Sequence, residues 1–225
     1  MNPTATVTFS AAPGPTSGLL VSAPSAKRGI VLVQEWWGLV PHIEDVAQRF
    51  AALGYTVLAP DLYRGKKTVD AEEASHLMHG LDFGSAAQEI AGAVEHLRTA
   101  CGCERVAVVG FCMGGALAMI ASSVARVDAY VSYYGFPPAG AADVAKIAAP
   151  GLIFFGENEN FFSVEDARAF ADSQTARGIA TEVRIYPGAG HAFFNDTRPE
   201  AYVPSAAADT WTRTLAHLGT HLAHA

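Results

Sequence analysis

Short apolar runs alternate with stretches of helical periodicity along this chain, and the alternation limits the available folds more than any single motif. Gly29-Ile30-Val31-Leu32-Val33 is β-branched and apolar, and ends at Gln34-Glu35. Ile43, Val46, Ala47, Phe50 and Leu53 then recur at helical spacing and stop at Gly54, a residue suited to close a helix. Residues 55–59 read as a strand that stops at Pro60-Asp61, and Ile90, Val94 and Leu97 mark a further helix. Strands follow at 105–109, 127–133, 152–155 and 181–186, with helices from Cys112 to about Ser122 and from 163 to 177. Ser163, with Asp166 three residues on, has the spacing of a helix N-cap. The closing helix carries Trp211, Leu215, Leu218 and Leu222 on one face. Strands that are apolar throughout, separated by amphipathic helices, build a parallel sheet covered on both faces. The expected class is α/β.

A chain of 225 residues, half of them hydrophobic, can bury a sizeable core as one domain. The stretches at 12–18 and 136–140 are rich in Pro and Gly but short enough to be loops, so one domain is expected over 1–225. A formal net charge of -7 with 15 Lys+Arg argues against a nucleic-acid or anionic-membrane partner. The N-terminal stretch lacks the basic and apolar regions of a signal peptide, and no apolar run approaches the roughly 20 residues of a membrane span. The expected setting is cytoplasmic. Cys101-Gly102-Cys103 has C-x-C spacing and no second pair, so it reads as two ordinary thiols in a helix-to-strand turn and not as a zinc site. His217, His221 and His224 share a helix face with no acidic or cysteine partner nearby and read as a solvated face. Neither a metal nor an organic cofactor is called for.

In an α/β sheet, functional groups collect at the C-terminal ends of the strands. Four such ends carry unusual residues: 34–38, Gly110-Phe111-Cys112-Met113-Gly114-Gly115, Gly156-Glu157-Asn158-Glu159-Asn160 and Gly188-Ala189-Gly190-His191. Nucleophile, acid and histidine therefore occur in the order of the α/β-hydrolase triad, with Cys112 where that signature has serine. Small neighbours let a strand turn sharply into a helix, and the thiol at the apex then lies over a helix N-terminus that favours thiolate. His191 follows a glycine-rich stretch that can present the imidazole on a short loop. Glu157 and Glu159 both lie where the acid belongs. The backbone amides of Met113 and Trp36 are the expected oxyanion hole.

Over nearly its whole length the sequence resembles the dienelactone hydrolase family. The matching pieces are Gln34-Glu35 with Trp36-Trp37-Gly38, Ala59-Pro60-Asp61-Leu62-Tyr63, the Gly110 to Gly115 segment, Tyr134-Gly135 and Gly190-His191. The resemblance implies an α/β-hydrolase fold with a mostly parallel sheet and no separate cap domain. It also implies a cysteine hydrolase that uses Cys112, His191 and an acid. In the family, the glutamate matching Glu35 lies by the nucleophile and holds the resting thiol neutral until substrate displaces the pair. A carboxylate beside a thiol does raise the cost of forming thiolate.

Three positions depart from the family pattern. The triad acid is usually aspartate in G-x-x-D, and counting from Gly156 puts Glu159 in that place. Members acting on dienelactone follow the triad histidine with serine and place arginine four residues after it, where this chain has Ala192 and Asn195. A second substrate-binding arginine is expected just before Ala74, where the chain reads Asp70-Ala71-Glu72-Glu73. Two carboxylate-clamping arginines are thus missing, with Arg64 and Arg198 as candidate replacements. The expected activity is hydrolysis of a small-molecule ester or lactone, preferably neutral, in a pocket lined by Trp36, Trp37, Phe83, Phe193 and Phe194. A catalytically weak relative that binds a small molecule is the alternative, and Glu159 in place of aspartate is what would favour it. A thiol-redox protein fits poorly, because no resolving cysteine adjoins the elbow. A monomer or small homo-oligomer is expected.

Overall fold

The computed structural model describes residues 1–141 and 143–223. Eight strands form one sheet in the order β1-β2-β4-β3-β5-β6-β7-β8. The strands are β1 (Thr4–Phe9), β2 (Thr16–Val21), β3 (Arg28–Val33), β4 (Thr56–Pro60), β5 (Arg105–Phe111), β6 (Ala129–Tyr133), β7 (Gly151–Asn158) and β8 (Thr181–Gly190). β2 pairs antiparallel with both β1 and β4, and every pairing from β4 through β8 is parallel. The helices are α1 (Pro41–Ala52), α2 (Ala71–His79), α3 (Phe83–Thr99), α4 (Met113–Val124), α5 (Val164–Ala176) and α6 (Pro204–His221).

Alternation along β3 shows how the sheet is covered. Ile30 and Leu32 pack with Ile43, Val46 and Phe50 of α1, in the cluster that also holds Phe170 of α5 and Leu218 of α6. Val31 and Val33 pack on the opposite face with Ile90, Val94 and Leu97 of α3 and Leu117 of α4. Both faces of the strand are therefore apolar, as a central parallel strand requires. Phe50 is fully buried, and truncating such a ring to alanine costs about 3–5 kcal/mol. Ser163 caps α5 by accepting the Asp166 N–H at 3.0 Å, as the spacing predicts.

Several elements differ from the sequence expectation. Residues 16–18, expected in a loop, belong to β2. β1 reads Thr-Ala-Thr-Val-Thr-Phe and is mostly exposed, so it lacks the apolar run that marks the inner strands. Asp70 caps α2 by accepting the Glu73 N–H at 2.9 Å, but Ala74 is that helix's one buried residue, too few to set up an apolar period. Both β7 and β8 run further than their apolar cores, and their last paired residues are Asn158 and Gly190. His217 is not on a solvated face: it packs against the backbone at Tyr130 and Pro150, and burial lowers its pKa to about 4. Its ring centroid lies 4.6 Å from that of His221, whereas His224 lies outside the described residues. Cys103 is buried, which pushes its thiol up to about 11, and Cys101 is a free thiol beside it. Among the described residues no helix is long and apolar enough to cross a membrane, and no group of three His, Cys, Asp or Glu side chains is placed to hold a metal ion.

Candidate active site

Cys112 sits between β5 and α4 as the N-cap residue of the helix, with φ 55° and ψ -119°. That left-handed backbone is costly for a side-chain-bearing residue, on the order of 1–3 kcal/mol, and persists only where the surroundings over-determine it. They do so here. The Cys112 N–H donates to Tyr133 O at 2.9 Å, and its carbonyl accepts from Gly115 N–H at 2.9 Å and Ala116 N–H at 3.2 Å. A Cβ on Gly110 would collide with the Gly114 carbonyl, and one on Gly114 with the carbonyls of Val33 and Gln34. The turn closes only with glycine at both positions. Tyr134 (φ 41°) and Ala192 (φ 62°) are also left-handed, so strained backbone recurs at three strand ends around one point.

Because Asn158 and Gly190 are the last register pair of β7 and β8, the next residue on each strand is Glu159 and His191. The sheet thereby sets acid and imidazole side by side. His191 Nδ1 lies 3.0 Å and 2.9 Å from the two carboxylate oxygens of Glu159. The Glu159 side chain is fully buried, and its Oε1 also accepts the backbone N–H groups of Asn160 (3.1 Å) and Phe161 (2.9 Å). The extra methylene of glutamate is taken up within this loop. Glu157 points elsewhere: it is exposed and accepts the Gly188 N–H at 2.9 Å. Burial by itself would lower the His191 pKa, but hydrogen bonds and charge from Cys112 and Glu159 outweigh it and raise the imidazole to about 10. Thiol, imidazole and Glu159 carboxylate thus form one chain of interactions.

Glu35 is 1% exposed and its carboxylate is held from two sides. Tyr134 Oη–H donates to Oε1 at 3.1 Å, and Asn195 Nδ2–H donates to Oε2 at 2.8 Å. Among the described residues Glu35 makes no hydrogen bond to Cys112, although both border the same cavity. Trp36 and Met113 border it too. Met113 is the first residue of α4, so its N–H has no intrahelical acceptor and is free to face an oxyanion.

The cavity has a volume of about 450 Å³. Its walls include Trp36, Trp37, Met78 and Phe83, flanked on the histidine side by Phe161 and Phe162, whose ring centroids lie 4.7 Å and 6.0 Å from His191. Phe193 and Phe194 are not in this lining. They are buried in the core, where Phe194 stacks on Phe111 at 5.3 Å, because the chain after His191 turns inward under α6. Arg64 is also absent, being drawn to the buried carboxylate of Glu89 (Nη1 to Oε2 2.8 Å) on another face. Arg198 does border the cavity. Its guanidinium stands 4.6 Å over the Trp37 ring, and its Nε–H donates to Glu200 at 2.8 Å. Sequence reasoning assigned no role to Tyr134, Phe161 or Phe162. Tyr134 could have been suspected from its place in the Tyr134-Gly135 match, whereas nothing local marks the two phenylalanines.

The sequence pattern of the dienelactone hydrolase family matches residues 17–222. The chain is 30% identical over 205 residues to "Protein usf" of Aquifex pyrophilus, covering 86% of this chain and 88% of that one. It is 28% identical over 208 residues to a Bradyrhizobium protein named "Probable 2-oxo-3-(5-oxofuran-2-ylidene)propanoate lactonase", covering 86% of this chain and 84% of that one. Among solved structures, it superimposes with a TM-score of 0.84 and 23% identity on the dienelactone hydrolase-like promiscuous phosphotriesterase P91 from metagenomic libraries, over 97% of this chain and 98% of that one. That likeness is one of fold, and the sheet and its covering helices are those of an α/β-hydrolase. By its sequence pattern along nearly the whole chain, this protein belongs to the dienelactone hydrolase family.

Proposed function

We propose that the chain hydrolyses carboxylic esters or lactones through a thioester on Cys112, with His191 moving the proton and Glu159 orienting the imidazole. The observation that carries this reading is the chain of contacts from Glu159 through His191 to a strained Cys112 at the mouth of an apolar cavity. The Cys112 thiolate attacks the carbonyl carbon, and the developing oxyanion is taken by the Trp36 and Met113 amides. As the tetrahedral intermediate collapses, His191 gives its proton to the departing alkoxide and leaves a thioester. In a lactone, that alkoxide stays tethered to the acyl group. Neutral His191 then takes a proton from water, hydroxide adds to the thioester, and the thiolate departs with the imidazolium restored. The net change is one ester plus one water to one acid and one alcohol. Glu159 stabilises the imidazolium without itself being protonated.

Apolar and aromatic walls suit a neutral, largely apolar substrate. On the rim, Arg198 is paired through its Nε–H with the Glu200 carboxylate, which offsets its positive charge. The Bradyrhizobium relative is named for an anionic lactone, and Arg198 is the group here that could meet such a carboxylate if Glu200 released it. Hydrolysis of a p-nitrophenyl ester by the wild type and its loss in Cys112→Ala, with melting temperature unchanged, tests the main reading. Turnover retained in that variant would refute it.

A further inference from the structure

Asn195 is 2% exposed, and each polar atom of its side chain has a partner. Its Oδ1 accepts the Thr197 N–H at 3.1 Å and faces Thr197 Oγ1 at 2.7 Å. A backbone N–H can only donate, so the oxygen of the amide must be the atom on that side. The amide NH₂ is thereby aimed at Glu35 Oε2, 2.8 Å away. With the Tyr134 hydroxyl on Oε1, each oxygen of a buried carboxylate has one neutral donor. The Asn195 N–H also closes the turn after His191 by donating to Ala192 O at 2.9 Å. The turn that presents the imidazole therefore holds the anchor of Glu35 as well.

We infer that Asn195 is a positioning residue: it keeps the Glu35 carboxylate docked on itself and Tyr134, and so holds it off the Cys112 thiol in the resting enzyme. This rests on the reading of Cys112 as nucleophile. It departs from the resting state that the family resemblance implies, in which the glutamate holds the thiol neutral. Losing the NH₂ leaves Oε2 buried without a donor, and a buried acceptor so stranded seeks another. The Cys112 thiol borders the same cavity, and a carboxylate that accepts its S–H disfavours thiolate. The other titratable groups on these elements are Tyr63 and Tyr134, both raised above ordinary tyrosine chiefly by burial, Glu159, and Arg198 with Glu200 at the rim. Behind Asn195, His42 faces Asp196, which Arg49 holds ionised.

The test is the rate at which iodoacetamide alkylates Cys112 in the substrate-free protein, followed by mass spectrometry from about pH 5 to about pH 9. In this reaction the thiolate displaces iodide and forms a carbon–sulfur bond. A docked Glu35 leaves the wild-type Cys112 thiol without a carboxylate acceptor, so nothing from that side disfavours thiolate. Asn195→Ala should be about tenfold slower at neutral pH, because the released carboxylate disfavours thiolate. Adding Glu35→Gln to Asn195→Ala should restore the wild-type rate, which a merely structural defect would not allow. Asn195→Ser keeps a partner for Thr197 yet is too short to reach Glu35, and serves if the alanine variant does not fold. The inference is overturned if the Asn195 variants alkylate like wild type, or if Glu35→Gln rescues nothing. A wild type that alkylates rapidly at Cys112 but turns over no ester would instead refute the proposed function.

Discussion

His191 carries the proton in this mechanism, and its surroundings decide where in pH it can do so. Its pKa is raised to about 10 against the opposing effect of burial, because Cys112 and Glu159 both favour the imidazolium. A group whose folded pKa is raised contributes stability that is complete below its unfolded value of 6.5 and is lost as pH rises through about 10. The imidazolium that protonates the leaving group should persist over the same range, so kcat/KM should fall on the alkaline side near pH 10. In Glu159→Gln that limb should move to lower pH, and the stability gap between wild type and variant should narrow towards pH 10, as thermal denaturation at several pH values would show. His191→Ala should lose on the order of 10³-fold or more in kcat, as when a base is removed from groups that act as a unit. Glu159→Gln should impair turnover far more than Glu157→Gln, since Glu157 reaches only the Gly188 amide. Equal losses would displace Glu159 from its role.

At the scale of elements, the site depends on two devices, and they were unequally legible. The elbow between β5 and α4 announced itself in Gly110, Gly114 and Gly115, because only small residues let strand and helix backbones meet. Gly114→Ala forces a methyl against the Val33 and Gln34 carbonyls and should lower stability by about 1–3 kcal/mol, the usual cost of overpacking, as measured by urea denaturation. An unchanged midpoint would mean the turn is looser than its geometry. The second device, the paired ends of β7 and β8, was hidden. Glu157 and Glu159 are two residues apart, so local spacing left both in play, and G-x-x-E favoured Glu159 only by likeness to the family. What separates them is the register irregularity between Gly156 and Asn158. Pairing between strands is a long-range property that neither strand's own sequence reveals. For the same reason Phe193 and Phe194 looked like pocket walls, although the turn after His191 sends them into the core.

For the molecule as a whole, the parallel centre of the sheet was readable because its strands are apolar on both faces. The edge was not, since β1 is half polar and β2 begins inside a stretch rich in Pro and Gly. Around the cavity, the aromatic walls and the self-paired Arg198 and Glu200 lead to an expectation about substrate charge. A carboxylate buried there without a partner is costly, by several kcal/mol even after relaxation. In a matched pair, a lactone methyl ester should show kcat/KM at least equal to that of its free acid, and preference for the acid, abolished by Arg198→Ala, would assign the clamp to Arg198. The central claim is that acyl transfer passes through Cys112, and mass spectrometry of enzyme quenched during turnover of a p-nitrophenyl ester and then digested tests it most directly. The account predicts an adduct of the acyl mass on the peptide containing Cys112, removed by hydroxylamine and absent from Cys112→Ala. An adduct on another residue, or turnover that survives in Cys112→Ala, would contradict it.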